Sequence, residues 1–236
     1  MSLARPRAIF PPVTSAQLRD PIRGLLVTFE GGEGSGKSTQ IEKLADFLRA
    51  QGHEVVTARE PGTTPVGEAV REVLLRTAPD DLAPESELAL FLAARAQLAA
   101  EVVRPALEAG KIVLLDRFGD SSVAYQAYGR GLDPERVTAL NAFFTGGLVP
   151  DVTVLIDVPV QASRERAKER PDRMERAGDE FHERVRQGYR EIAMNGSERF
   201  VVLDGTDPIE TVQSAIRDLV RDVLAARILT PRTESL

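Results

Sequence analysis

A short β-favouring run, Leu25-Leu26-Val27-Thr28-Phe29, leads into Gly31-Gly32-Glu33-Gly34-Ser35-Gly36-Lys37-Ser38, and apolar residues then recur at Ile41, Leu44, Ala45 and Leu48. A strand, a glycine loop and a helix in that order leave few folds open. The spacing is G-x-x-x-x-G-K-S, the phosphate loop. Its glycines let the backbone wrap an anion in conformations that other residues resist. Backbone N–H groups and the positive end of the following helix then face the phosphates. Gly31 to Ser38, with Thr39, form the expected nucleoside triphosphate site. Lys37 is expected on the β- and γ-phosphates, and the Ser38 hydroxyl on Mg²⁺.

The rest of the chain repeats the alternation of strand and helix. Strands are predicted at 54–58, 112–115, 151–158 and 200–203, and helices at 37–50, 65–76, 84–109, 134–146, 179–194 and 208–227. This predicts an α/β fold: a five-stranded parallel sheet with helices on both faces. The stretch 84–109 is apolar nearly all round, so it is expected in the core or in a subunit contact, with Pro105 kinking or restarting it. Residues 1–23, with four prolines, read as a loosely docked extension. Residues 24–229 form one domain, with 230–236 as a tail.

Composition removes several chemistries. There are no cysteines and only two histidines, His53 and His182, which excludes disulfides, thiolate nucleophiles and multi-His metal sites. A net charge of −6 argues against a duplex nucleic-acid binder. Four of the 30 basic residues are lysine, and the rest are arginine, which binds phosphate bidentately. No apolar run approaches the roughly 20 residues of a membrane span, and a cytoplasmic location is expected.

A GTPase would need N-K-x-D, yet neither Asn141 nor Asn195 precedes a lysine. The third strand ends in Asp116-Arg117, a single carboxylate beside a cation. That pair suits a kinase acting on a phosphorylated acceptor: Asp116 holds Mg²⁺ through water, and Arg117 clamps the acceptor phosphate.

Three further motifs stand in register with the loop: Arg59-Glu60-Pro61-Gly62, Phe91-x-Ala-Ala-Arg95, and Asp116-Arg117-Phe118-x-x-Ser121-x-x-Ala124-Tyr125-Gln126. Together they resemble the thymidylate (dTMP) kinases, nucleoside monophosphate kinases with a five-stranded parallel sheet. The resemblance covers residues 25–222. It implies transfer of the ATP γ-phosphoryl group to dTMP with Mg²⁺, and a homodimer. It implies that Phe91 stacks on thymine, that Arg95 bonds a base carbonyl, and that Ser122 contacts the base edge. Tyr125 crowds the sugar 2′ position, with Gln126, Ser121 and Pro61 nearby. Glu33 faces the acceptor sugar or a Mg²⁺ water, and Arg59 and Arg71 are supporting cations. Ser35 stands where one branch of the family carries its catalytic arginine, so the chain resembles the bacterial branch, which uses a lid arginine. The lid is expected at about 164–178, with Arg170 as first candidate, then Arg166 and Arg173. Thr63 departs from the family's second glycine in R-E-P-G-G. Two rival readings are a kinase for another monophosphate and a non-catalytic ATP-sensing module.

Overall fold

The computed structural model describes residues 24–77, 82–166, 177–195 and 198–229. The extension at 1–23, the tail at 230–236 and most of the expected lid, with Arg170 and Arg173, lie outside the described residues.

The fold is organised around β1 (Leu25–Glu30), every residue of which is buried. Its side chains alternate between two faces, as a strand requires. Leu25, Val27 and Phe29 pack with Leu44, Leu48, Ile216 and Val220 on one side of the sheet. Leu26 packs with Leu98, Val103, Leu107 and Leu115 on the other. The remaining strands are β2 (Val55–Arg59), β3 (Ile112–Asp116), β4 (Val152–Asp157) and β5 (Phe200–Asp204). Their order is β2-β3-β1-β4-β5, and all neighbours are parallel. Every strand therefore presents its carboxyl end at the same edge, where such sheets bind ligands. Phe29 pairs with Asp116 across β1 and β3, which sets Arg117 beside the loop that leaves β1.

Helix α1 (Lys37–Ala50) and α2 (Pro65–Arg76) have the bounds read from sequence. Thr64 caps α2 by accepting from Gly67 N at 2.9 Å. The long apolar stretch is α3 (Pro84–Leu98), a wide-turned π-helical segment (Ala99–Val103), and α4 (Arg104–Glu108). Arg104 N donates to Ala99 O, five residues back, and the distortion occupies the turn before Pro105, whose missing N–H and ring act on the carbonyl of Glu101 within it. Burial all round holds only in part, because Ala89, Ala93 and Ala100 are exposed.

After β3 the chain forms a piece that the periodicity did not predict: α5 (Gly119–Ser122) and a second wide-turned segment (Val123–Gly129). Then come α6 (Pro134–Thr145), α7 (Val160–Glu165), α8 (Asp179–Met194) and α9 (Ile209–Leu229). No described helix is long and apolar enough to cross a membrane.

Helix α8 lies flat on the segment 123–129 because glycines clear the way. A Cβ at Gly188 would stand 2.6 Å from Tyr128 Cγ, and one at Gly129 2.7 Å from Phe181 Cε2. Gly188→Ala is therefore expected to cost about 1–3 kcal/mol, the usual range for overpacking. Urea denaturation of the variant measures it.

Candidate active site

The phosphate loop turns on glycines in the left-handed region, Gly34 at φ 64° and Gly36 at φ 95°, with Gly31 at φ 136°. Gly36 leads directly into α1. Lys37 is buried and folds back over the loop, donating to Gly31 O at 3.2 Å, Gly32 O at 2.9 Å and Ser35 Oγ at 3.3 Å. Burial pulls its pKa down from the ordinary lysine value. One residue on, Ser38 Oγ donates to Asp116 Oδ2 at 2.8 Å. A hydroxyl from the first turn of α1 and a carboxylate from the end of β3 thus meet as oxygen donors, the chemistry that suits Mg²⁺. Thr39 is exposed in the same turn.

Arg117 is held in an unusual backbone conformation, φ 71°, which L-residues avoid. Its guanidinium donates to Gly31 O at 3.0 Å, Tyr189 Oη at 3.2 Å and Glu33 Oε1 at 2.8 Å. It also lies over the Tyr125 ring, 5.0 Å from the centroid. The Arg117 charge holds the Glu33 carboxyl down to about 2, against the opposing effect of burial. Glu33 is therefore ionised beside the phosphate loop and compensated by a cation.

Beyond Arg117 a cleft of about 570 Å³ opens, lined by Glu33, Glu60, Pro61, Arg71, Leu74, Leu75, Phe91, Arg117, Ser121, Ser122, Tyr125 and Gln126. It brings together most of the residues assigned to the acceptor. Arg71 donates to Pro61 O at 3.1 Å. Arg59 does not reach the cleft. It stands half-exposed, paired with Glu68 at 3.1 Å. The same carboxylate accepts from Thr63 N at 2.8 Å and so supports Thr63 at φ 71°, the conformation a glycine would take freely.

Arg95 is 1% exposed and lies behind the cleft wall. Its Nε donates to Glu60 Oε2 at 2.6 Å, and its Nη1 to Ser122 Oγ at 2.8 Å and to Asn141 Oδ1. Burial pushes the Glu60 carboxyl up to about 7 despite the arginine. Glu60 Oε1 and Tyr125 Oη are buried without a hydrogen-bond partner, and both residues line the cleft. Burial likewise pushes the Tyr125 phenol up to about 12.

On the other side of the phosphate loop, α7 forms the described base of the expected lid. Ser163 Oγ donates to Glu33 O, and Arg166 Nη1 donates to Gly205 O at 2.9 Å, away from the cleft. Arg164 pairs with Asp179.

Sequence reasoning gave no role to Glu30, Tyr189, Asn141 or Glu60. Glu30 carried a signal, since a carboxylate ending an apolar strand needs buried partners. Glu60 lies inside the motif Arg59-Glu60-Pro61-Gly62. Tyr189 and Asn141 had no local pattern to mark them.

Comparison with known proteins gives one family. The family model described as thymidylate kinase matches residues 29–216. A thymidylate kinase of Desulfovibrio desulfuricans is 49% identical over 212 residues, which is 86% of this chain and 98% of that protein. One from Pseudomonas fluorescens is 48% identical over 203 residues, 85% and 97% of the two chains. The crystal structure of a thymidylate kinase from Ehrlichia chaffeensis aligns with a TM-score of 0.70 at 34% identity, covering 84% of this chain and 99% of that one.

The buried Glu60 gives stability a definite pH dependence. Its carboxyl holds a proton more tightly folded, at about 7, than at the ordinary value of 4.5. The fold has the full benefit of that proton below about pH 4.5 and loses it as pH rises through about 7. Unfolding free energy is expected to fall across this window, with Glu30 acting in the same sense. Glu60→Gln is expected to fall less steeply. Urea denaturation at stepped pH compares the two slopes, and equal slopes would contradict this assignment.

Proposed function

The chain belongs to the thymidylate kinase family: it phosphorylates dTMP to dTDP, and we propose that ATP lies on the phosphate loop and dTMP in the cleft beyond Arg117. The observation that carries this division is the position of the Arg117 guanidinium, which touches Gly31 of the loop and forms part of the cleft wall.

In this reading the reaction is a direct in-line transfer. The attacking atom is a phosphate oxygen, already anionic, so the chain supplies positioning and charge compensation, not a strong base. Lys37 neutralises the β- and γ-phosphates. Arg117 orients the acceptor phosphate. Ser38 and Asp116 would hold Mg²⁺, which when bound neutralises charge on the phosphate oxygens. Arg170, in a lid at about 164–178, stabilises the moving phosphoryl group, and closure of that lid excludes water.

At the base end, Phe91 stacks on thymine while Ser122 and Gln126 meet its edge. Arg95, behind the wall, acts on the base end through Glu60 and Ser122, which it holds in the lining, and not by the direct bond to the base carbonyl that the resemblance implies. Tyr125 stands against the sugar 2′ position and Glu33 toward the 3′-hydroxyl.

We also propose a homodimer. Helix α3 packs between α2 and α6. The three expose Val66 and Val73, Ala89 and Ala93, and Leu140, Phe143 and Phe144. This apolar surface supports a subunit contact. With soluble nucleotides as substrates, the reading puts the reaction in the cytoplasm.

An ADP-release assay across a panel of nucleoside monophosphates is expected to show dTMP as the preferred acceptor. ATP hydrolysis indifferent to dTMP would overturn the reading. Arg170→Ala is expected to lower kcat roughly 10³-fold, the low end for such arginines, with a much smaller change in KM for dTMP. A wild-type kcat would remove Arg170 from its role. Phe91→Ala is expected to raise KM for dTMP about tenfold or more while leaving KM for ATP within about twofold, as loss of a stacking face should. Equal effects on both substrates would make Phe91 a core residue only.

A further inference from the structure

Glu30 is the last residue of β1 and is completely buried. Its two carboxyl oxygens do different things. Oε1 accepts from Phe118 N at 2.8 Å. Oε2 accepts from Ser121 Oγ at 2.6 Å and from Tyr189 Oη at 2.9 Å, and those two hydroxyls are themselves 2.8 Å apart. The three oxygens form a closed ring, and Arg117 Nη1 donates into it at Tyr189 Oη, 3.2 Å, and Ser121 Oγ, 3.4 Å.

The backbone around Arg117 depends on the same carboxyl. At φ 71° the chain leaves the sheet: the amide of 117 makes the last bond of the β1–β3 ladder, and the amide of 118 lies beyond it. Arg117 N finds Phe29 O at 3.0 Å. Phe118 N finds the Glu30 side chain, which serves where a strand carbonyl is out of reach. Both amides that flank the strained residue are therefore fixed to consecutive residues of β1. An unpaired amide here would be costly, and the strained conformation persists only where the surroundings enforce it.

We propose that Glu30 is a positioning residue for the acceptor half of the reaction: through Phe118, Ser121 and Tyr189 it holds Arg117 against the phosphate loop. Protons in the ring support this. Both hydroxyls give their protons to the Glu30 carboxyl, so they are held toward it and leave their lone pairs to Arg117 Nη1. Burial, with Asp120 nearby, pushes that carboxyl up to about 7. Asp120 is itself neutralised by Arg199 at 2.7 Å. Glutamine at position 30 offers a carbonyl to Phe118 N and amide protons to the ring, so it preserves the arrangement. Alanine preserves none of it.

The proposal rests on Arg117 meeting the acceptor phosphate. Its test is a double-mutant cycle of Glu30→Ala with Arg117→Met, read as kcat/KM for dTMP at saturating ATP. Glu30→Ala alone is expected to lower kcat/KM for dTMP about tenfold or more, the scale of a lost buried hydrogen-bond partner. KM for ATP stays within about twofold, and Glu30→Gln recovers activity to within about threefold of wild type. In the Arg117→Met background, Glu30→Ala is expected to add less than about twofold, because its effect runs through Arg117. Multiplicative effects, or equal losses for ATP and dTMP, would overturn the proposal while leaving Arg117 in place. An Arg117→Met enzyme with wild-type kcat/KM would instead overturn the reading of Arg117. Should Glu30→Ala fail to fold, Tyr189→Phe opens the same ring and is judged by the same cycle.

Discussion

The register of β3 against β1 is the constraint on which the site depends. Phe29 opposite Asp116 means that the two strand-end loops begin side by side. Ser38 and Asp116 then meet, and Arg117 lands on Gly31 and Glu33. A slip of one residue would exchange the faces of every β3 side chain and separate all of these pairs. The register is secure because Val113 and Leu115 face one buried layer and Ile112 and Leu114 the other. Packing of ordinary aliphatic side chains thus fixes the separation of charged groups that no contact between those groups alone would hold.

Charge in the site is compensated locally. Glu33 would repel phosphates, yet Arg117 keeps it ionised and paired. At the far end Arg95 is buried among a carboxyl, a hydroxyl and an amide oxygen. A buried guanidinium without such acceptors would be prohibitively costly. The cleft accordingly has Arg117 and Arg71 in its lining and Arg95 buried behind its wall, with Leu74, Leu75, Phe91 and Tyr125 as its apolar and aromatic surface.

Much of this was legible in the chain. The strands, α1 and α2 followed from periodicity and capping. The phosphate loop and the Asp116-Arg117 pair followed from motifs whose residue types dictate their chemistry. The segment 119–129 was not legible as helix, because wide turns do not repeat at 3.6 residues and its apolar positions show no ordinary stripe. Glu30 and Tyr189 were hidden for another reason: they are 159 residues apart, and only the docking of α8 brings them together. Arg59 shows the opposite failure. It sits in the right motif, yet Glu68 one helical turn into α2 captures it first.

The widened stretch at Ala99–Val103 has a consequence for how this chain can change. Each extra residue per turn rotates the downstream helix by roughly 100°. Before the stretch, Leu88 and Leu92 pack with Val123 and Val137. Leu98 at the end of α3, Ala99 and Val103 within the stretch, and Ala106 and Leu107 after it pack with the sheet. One rod thus addresses two different layers, with the sheet-facing set beginning at Leu98, and the widening keeps Val103, Ala106 and Leu107 in that set. The segment's length is therefore under tighter constraint than its composition. Ala100 and Glu101 are exposed and open to replacement, whereas a single insertion or deletion would rotate Phe91, in the cleft lining, and the buried Arg95 relative to the sheet-facing half.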